Sequence, residues 1–86
     1  MPKIEDVGPY RVFFYSNEHE PEHVHIERDG AEVKIELFTG PKGKPNLVDN
    51  KGMKDPDVRN AMDIVKERRD LYLKKWNEFY GKPSAQ

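Results

Sequence analysis

The sequence predicts an α+β protein in which a small antiparallel sheet of three to five strands packs on one long C-terminal helix. The first half contains short runs rich in β-branched and aromatic residues, which is typical of strands. An Asp29-Gly30 pair separates two of these runs, and the second half carries apolar residues at helical spacing. Because the chain has 86 residues, we expect residues 1–86 to form a single domain.

Four strand-like runs lie within the first 38 residues, at positions 4–7, 10–15, 23–28 and 31–38. Asp29-Gly30, between the last two runs, is the dipeptide most typical of a two-residue hairpin turn, because both turn residues adopt positive φ. The segment between the second and third runs is polar, contains Pro21 and is predicted to be a loop.

The hairpin turn also predicts which side chains share a face of the sheet. One face is apolar, and the opposite face carries histidines and charges. The apolar pairs are Ile26 with Val33 and Val24 with Ile35, and the polar pairs are His23 with Glu36, His25 with Lys34 and Glu27 with Glu32. We expect the helix to pack on the apolar face, which leaves the histidine face open to solvent or to a partner.

Residues 39–54 combine lysines with glycine and proline, which predicts a mobile basic loop with at most a short strand at Leu47-Val48. Residues 55–80 predict one continuous helix, since Asp55 is a favourable N-cap and Gly81 a natural stop before the tail of residues 81–86.

At 100° per residue, the apolar side chains of this helix stay in phase along one face, from Val58 through Trp76 to Tyr80. Arg69 is the only charged residue on that face. Ile64 and Leu71 fall outside it and leave room for a second contact, such as a homodimer interface.

Charge is distributed unevenly along the chain. Residues 1–38 carry a net charge of −5, residues 39–54 carry +3 and residues 55–86 carry +1, so the total is −1. This pattern does not indicate binding to nucleic acid through net charge, but it allows one side to meet a basic partner and the other an anionic one.

The absence of cysteine excludes disulfides and thiolate chemistry. The longest apolar run, Val12-Phe13-Phe14-Tyr15, is far shorter than the ~20 residues of a membrane span. The first residues lack the apolar stretch of a signal peptide. We therefore expect a cytoplasmic protein without a membrane partner.

The three histidines lie within seven residues and are the chemical centre of the sequence. His23 and His25 are two apart on a strand, so their rings share a face. With His19 or Glu18 they form a candidate site for a divalent metal such as zinc. The same imidazoles are alternatively a general acid and base for phosphodiester cleavage without a metal, or surface histidines without a role. If the face is exposed, replacing His23 and His25 by alanine should change stability by less than about 0.5 kcal/mol.

The segment Tyr15-Ser16-Asn17-Glu18-His19-Glu20-Pro21-Glu22-His23-Val24-His25-Ile26 resembles the signature of a bacterial family, domain of unknown function 4160. The resemblance extends to the start of the chain and to the helix, through Arg69 and Trp76-Asn77-Glu78-Phe79-Tyr80-Gly81. Glu22 departs from the family pattern, which has proline there, and Arg68 stands where asparagine is common.

Members of this family resemble components of bacterial type II toxin–antitoxin modules, often beside a small protein of another family, domain of unknown function 2442. The resemblance therefore implies a cognate small protein partner encoded nearby, and, for a toxin, RNA as the target. The residues that the motif and the basic loop offer for catalysis are Tyr15, Glu18, His19, His23, His25 and Arg69, and those for ligand binding are Asn17, Lys42 and Lys44.

Three functions stay open on this basis. The first is a small ribonuclease-type toxin that uses the histidine-rich loop and strand. The second is an antitoxin or adaptor whose acidic histidine face covers a basic partner. We expect neither of these to need a cofactor. The third is a metal-binding protein that uses His19, His23 and His25.

Overall fold

Five strands and one long helix are present in a computed structural model that describes residues 3–15 and 19–80. The elements are β1 (Lys3–Val7), β2 (Tyr10–Phe13), β3 (His23–Arg28), β4 (Ala31–Glu36), a 3-10 turn (Pro41–Gly43), β5 (Asn46–Lys51) and α1 (Asp55–Tyr80). The strands form one antiparallel sheet in chain order, from β1 at one edge to β5 at the other. The predicted α+β fold is confirmed.

The β3–β4 hairpin has the register that its turn predicts. Ile26 lies opposite Val33, and His25 lies opposite Lys34. Asp29 and Gly30 adopt φ of 52° and 83°, the positive values that a two-residue hairpin turn requires. The local turn chemistry therefore determines the register of the central strands.

The short strand predicted at Leu47-Val48 is present but longer than expected, so the prediction of a loop over residues 39–54 is wrong for its second half. β5 occupies six of these residues, Asn46–Lys51, and pairs with β4 along its length. Its side chains are mostly polar and exposed because β5 is an edge strand, so the apolar alternation that identifies a strand is absent. Pairing with β4 supplies the backbone hydrogen bonds that the side chains do not predict.

Both edge strands carry a β-bulge. The register of β1 shifts around Ile4, between Lys3 and Glu5, and that of β5 shifts around Val48. A bulge twists a strand locally and disrupts the regular row of free backbone groups. These edges are therefore poor templates for pairing with another chain.

The helix packs on the apolar face of the sheet, as predicted. Its buried residues join those of β2, β3 and β4 in one core cluster. The helix contributes Ala61, Ile64, Val65, Tyr72 and Trp76, and the sheet contributes Tyr10, Val12, Val24, Ile26, Val33 and Ile35, with Phe14, Leu37 and Met53 from the connecting segments. In the described residues, no helix is long and apolar enough to cross a membrane.

The placement of Ile64 outside the packed helix face is wrong. Ile64 is 9% exposed and belongs to the core, whereas Leu71 is 37% exposed. A five-stranded sheet is wider than the apolar stripe of one helix, so side chains on the flank of the stripe also reach it. Ile64 is therefore occupied within its own chain, and the argument for a homodimer through this residue is lost.

The start of α1 is joined to the sheet by a polar network. Asp57, in the first turn, accepts hydrogen bonds from Tyr10 at 3.0 Å and from Arg28 at 2.9 Å. Asn60 also donates to the Tyr10 hydroxyl, at 3.0 Å. A carboxylate is favourable at this end of a helix because the backbone N–H groups there carry partial positive charge.

The helix is kinked at Arg68, whose φ of −114° and ψ of 17° are not helical, so the prediction of one continuous helix is wrong at this residue, although α1 extends on both sides of it from Asp55 to Tyr80. The Arg68 guanidinium donates two hydrogen bonds to Glu5 of β1, at 2.6 and 3.1 Å. The buried Tyr72 donates a third hydrogen bond to the same carboxylate, at 2.6 Å. These bonds join β1 to the middle of α1.

At this contact the pKa of Glu5 is lowered and the pKa of Tyr72 is raised. The hydrogen bonds from Arg68 hold the pKa of Glu5 below its usual value, against the opposing effect of burial. Burial, and then the hydrogen bond to Glu5, raise the pKa of Tyr72, so this phenol stays protonated. Ionised Glu5 is therefore the form that the folded protein favours.

Replacing Trp76 by alanine should be the most damaging single change in the helix. Trp76 is 2% exposed and packs edge-on against Phe14, and truncating a large buried aromatic costs about 3–5 kcal/mol. Phe79→Ala is the control, because Phe79 is 44% exposed on the same helix. Urea denaturation should show a much larger loss for Trp76→Ala, and equal losses would contradict the assigned core.

The contact between Glu5 and Arg68 should make stability depend on pH. Because the pKa of Glu5 is lower in the folded than in the unfolded chain, its contribution is complete above the unfolded value and is lost as pH falls through the folded one. Urea midpoints measured from pH 7 to pH 3 should fall less steeply for Glu5→Gln than for the wild-type chain. Parallel curves for the two would show that Glu5 does not contribute.

Candidate functional site

The sheet face opposite α1, which we call the open face, carries the histidine-containing side of the hairpin. The register places Phe13, His25 and Lys34 in one row across β2, β3 and β4. The adjacent row holds Arg11, Glu27 and Glu32. Arg11 forms an ion pair with Glu27, and its guanidinium lies 5.2 Å from the centre of the Phe13 ring.

His25 lies at the centre of this face between two aromatic rings. The Phe13 ring stacks on it with centroids 5.5 Å apart, and the Tyr15 ring meets it edge-on at 4.5 Å. The Tyr15 hydroxyl donates to the Glu32 carboxylate at 2.8 and 3.0 Å. Nδ1 of His25 lies 3.1 Å from Oε2 of the same carboxylate. We call Phe13, Tyr15, His25 and Glu32 the His25 cluster.

His23 lies at the beginning of β3, between the His25 cluster and the helix. Its Nδ1 is 2.8 Å from the Pro21 carbonyl oxygen. Its ring lies 5.2 Å from that of His25 and 5.0 Å from that of Trp76. His23 therefore connects the open face to the helix-facing core.

The prediction that the histidine face is exposed is wrong, although its register is right. His23 is 2% exposed and His25 is 6% exposed. Phe13 and Tyr15 alternate along the chain with the core residues Val12 and Phe14. They therefore project to the open face and cover His25. Trp76 covers His23 from the helix side. Phe13, Tyr15 and Trp76 all lie outside the β3–β4 hairpin, so the hairpin pattern alone does not predict that the histidines are covered.

Glu32 is a site residue that the sequence interpretation missed. The hairpin register by itself identifies it only as the cross-strand partner of Glu27. On the open face, however, Glu32 stands two residues from Lys34, the partner of His25, and is therefore a diagonal neighbour of His25. Diagonal neighbours on antiparallel strands lie within reach of long side chains. This rule, applied to the predicted hairpin register, indicates that Glu32 lies near His25.

The remaining predicted site residues are described only in part. Asn17 and Glu18 lie outside the described residues, and His19 is exposed. Lys42 and Lys44 are exposed in the turn between β4 and β5.

Arg69 contacts the chain around the turn between β4 and β5, and its catalytic role stays a prediction. Its Nη1 donates to the carbonyl oxygens of Leu37, at 3.2 Å, and Gly43, at 2.8 Å. The guanidinium also lies 4.9 Å from the centre of the Phe38 ring. Arg69 is half-buried, and its head group is bound to backbone carbonyls, which explains how a charged residue is tolerated in the apolar stripe.

The structure gives no support to the metal site. Across residues 3–15 and 19–80, no three side chains of histidine, aspartate or glutamate converge as metal ligands, and His19, His23 and His25 do not form such a group. A zinc site needs at least three protein ligands around one point.

What the His25 cluster can do is move a proton. A carboxylate beside one ring nitrogen orients an imidazole and stabilises its protonated form, which is the arrangement used by general bases. The Glu32 carboxylate lies 3.1 Å from His25 Nδ1, which is within ion-pair distance, although this contact does not have the geometry of a hydrogen bond. Tyr15 bonds to the same carboxylate and is 37% exposed, so it forms the outer layer of the cluster.

Replacing both His23 and His25 by alanine should destabilise the fold, contrary to the expectation for exposed residues. Both rings are buried in aromatic contacts, and we expect a loss of about 2 kcal/mol or more, as for other large buried side chains. His19→Ala is the matched control and should change stability by less than about 0.5 kcal/mol. Chemical denaturation of the two variants measures both values, and equal stability would contradict the burial of the pair.

Comparison with known proteins identifies one family. The model of the domain of unknown function DUF4160 matches residues 10–77, from the start of β2 to the last turns of α1. No curated protein and no solved structure matches the chain. The match includes every described member of the His25 cluster as well as Arg69 and Trp76. Because it spans more than half of the sequence, the chain belongs to the DUF4160 family.

Proposed function

We propose that this chain is the toxin of a bacterial type II toxin–antitoxin module, and that it cleaves RNA by acid–base chemistry at the His25 cluster. The observation that carries the proposal is the approach of His25 Nδ1 to the Glu32 carboxylate at 3.1 Å. The association with such modules, and with a cognate small protein encoded nearby, comes from the family resemblance described above.

RNA supplies its own nucleophile, so the protein needs only to transfer protons. In the proposed reaction, His25 accepts the proton of a ribose 2′-hydroxyl, and the 2′ oxygen attacks the adjacent phosphorus. The bond from phosphorus to the 5′ oxygen breaks, which leaves a 2′,3′-cyclic phosphate. Glu32 stabilises the imidazolium that forms.

The leaving 5′ oxygen needs a proton from a second group. We assign this step to His19, which is exposed, because His23 is 2% exposed and covered by Trp76. His23 then acts as a positioning residue that packs against the ring of His25.

Tyr15 controls access to His25 in this proposal. Its ring covers His25 edge-on, and its hydroxyl binds Glu32, so substrate must displace the tyrosine from both contacts. Tyr15 is the exposed member of the cluster, and this displacement moves it outward without opening the core. An RNA base can replace the tyrosine ring, since bases stack readily on aromatic side chains.

Glu32→Gln should separate catalysis from stability. Glutamine still accepts the Tyr15 hydrogen bond but lacks the charge that stabilises protonated His25. Because a positioned acid–base group contributes about 10²–10⁴-fold, cleavage of single-stranded RNA should fall by roughly 100-fold or more. Induced expression in a bacterial host should arrest growth for the wild-type chain and not for Glu32→Gln.

Glu27→Gln is the matched control for this experiment, because Glu27 lies on the same face and pairs with Arg11. It should retain cleavage and growth arrest. RNA with a 2′-O-methyl group at the cleaved position should resist the wild-type protein. Cleavage of that RNA, or equal activity of Glu32→Gln and the wild-type chain, would defeat the proposal.

A second candidate function is an antitoxin or adaptor that covers a basic partner. It is favoured by the carboxylates of Glu27, Glu32 and Glu36 on the open face and by the net charge of −5 over residues 1–38. In that case expression of the chain alone leaves growth unchanged. Glu27→Gln and Glu36→Gln then weaken co-purification with the small protein encoded beside it.

A further inference from the structure

The turn between β4 and β5, residues 38–44, is held by a dense set of backbone hydrogen bonds. Gly40 donates to the Lys44 carbonyl at 2.7 Å, Gly43 donates to Gly40 at 3.0 Å, and Lys44 donates to Pro41 at 3.2 Å. Arg69 of α1 adds a bond to the Gly43 carbonyl. The turn therefore has a defined shape and is attached to the helix.

This shape requires glycine at position 40. A Cβ atom there would lie 2.7 Å from the Lys44 carbonyl oxygen and 2.9 Å from that of Pro45. Both are backbone atoms, so they cannot move aside without opening the turn. The backbone at Gly40 and the backbone at Lys44 and Pro45 are therefore too close to admit any side chain at position 40.

Lys42, at the tip, adopts φ of 59° and ψ of 27°. This left-handed conformation costs an L residue roughly 1 kcal/mol, and glycine adopts it without that cost. Lys42 is exposed, so packing does not offset the cost. Local backbone strain of this kind is often found at functional positions.

The surface around Lys42 is basic and partly aromatic. Lys44 is exposed in the same turn, and the acidic side chain nearest to the turn in sequence is Glu36, which accepts a hydrogen bond from Thr39. Phe38 is 37% exposed, with Arg69 against its ring. The other two lysines of the basic segment lie elsewhere, since Lys51 is opposite Glu32 in the register of β4 and β5 and Lys54 precedes the helix.

We propose that this turn binds the backbone of single-stranded RNA, with Lys42 and Lys44 contacting phosphates and Phe38 stacking on a base. The combination of cationic and aromatic side chains is typical of surfaces that bind single strands. The inference rests on the RNA target of the proposed function and adds a docking surface separate from the His25 cluster.

The position of the turn suits this role. The Leu37 N–H, at its start, donates to the Glu22 carbonyl in the loop that enters β3, at 2.9 Å. Glu36, the preceding residue, lies opposite His23. An RNA strand bound at the turn is therefore at the end of the hairpin that carries the histidines.

The test compares two double variants that remove the same charge from the same segment. Lys42→Gly with Lys44→Gln removes the lysines of the turn, and Lys51→Gln with Lys54→Gln removes those outside it. Binding of a labelled single-stranded RNA of about twelve nucleotides should weaken at least tenfold for the first variant. The slope of the logarithm of the binding constant against the logarithm of salt concentration should become shallower by roughly 1.4 for this variant, at about 0.7 for each lost phosphate contact. The second variant should bind like the wild-type chain.

Fold integrity is checked separately. Lys42→Gly relieves the left-handed strain, so its Tm should equal or exceed that of the wild-type chain while its RNA binding falls. Gly40→Ala should weaken binding without any change of charge, because it opens the turn. A lower Tm for Lys42→Gly together with equal binding would overturn the proposal.

The outcomes distinguish this inference from the proposed function. Glu32→Gln should bind RNA normally and not cleave it. If RNA binds through the turn and the wild-type chain does not cleave, the docking surface is supported and the proposed ribonuclease is not. If the wild-type chain cleaves RNA and both double variants bind it equally, the docking surface is rejected. Absence of any RNA binding rejects it as well.

Discussion

Trp76 makes the contact on which both the fold and the site depend. Its indole packs edge-on against Phe14 in the core and lies 5.0 Å from the ring of His23, which in turn contacts His25. One side chain of the helix thus supports the core and, through His23, the strand that carries the His25 cluster. Because a single helix covers a five-stranded sheet, little else in the described chain can replace that support.

This arrangement couples stability to chemistry. His23 is buried by the core, whereas His25 is buried by Phe13 and Tyr15, which lie on the opposite face of the sheet. Substitution of His23 is therefore expected to lower stability, so a loss of function in such a variant does not by itself identify a catalytic role. Glu32 is the better probe, because a change to glutamine conserves its shape and alters only its charge.

The structure also separates two kinds of surface that are mixed in the sequence. The basic segment 39–54 divides because β5 pairs with β4, which places Lys51 opposite Glu32 and leaves Lys42 and Lys44 on the turn. Arg69 attaches that turn to the helix. In our proposals, RNA is bound at this basic turn and its phosphodiester is cleaved on the predominantly acidic open face, so a chain with almost no net charge can still bind a polyanion.

The sequence by itself determined the fold class, the hairpin register and the start of the helix, because each depends on local chemistry: the alternation of side chains, the Asp29-Gly30 turn, and Asp55. The burial of the histidines, the contact of Glu32 with His25 and the full length of β5 were settled by the tertiary structure, although the hairpin register already made Glu32 a diagonal neighbour of His25. Phe13 and Trp76 are remote from His25 and His23 in the chain, and Glu32 reaches His25 only diagonally across two strands. Burial depends on which distant side chains cover a residue, and no spacing within one segment encodes that.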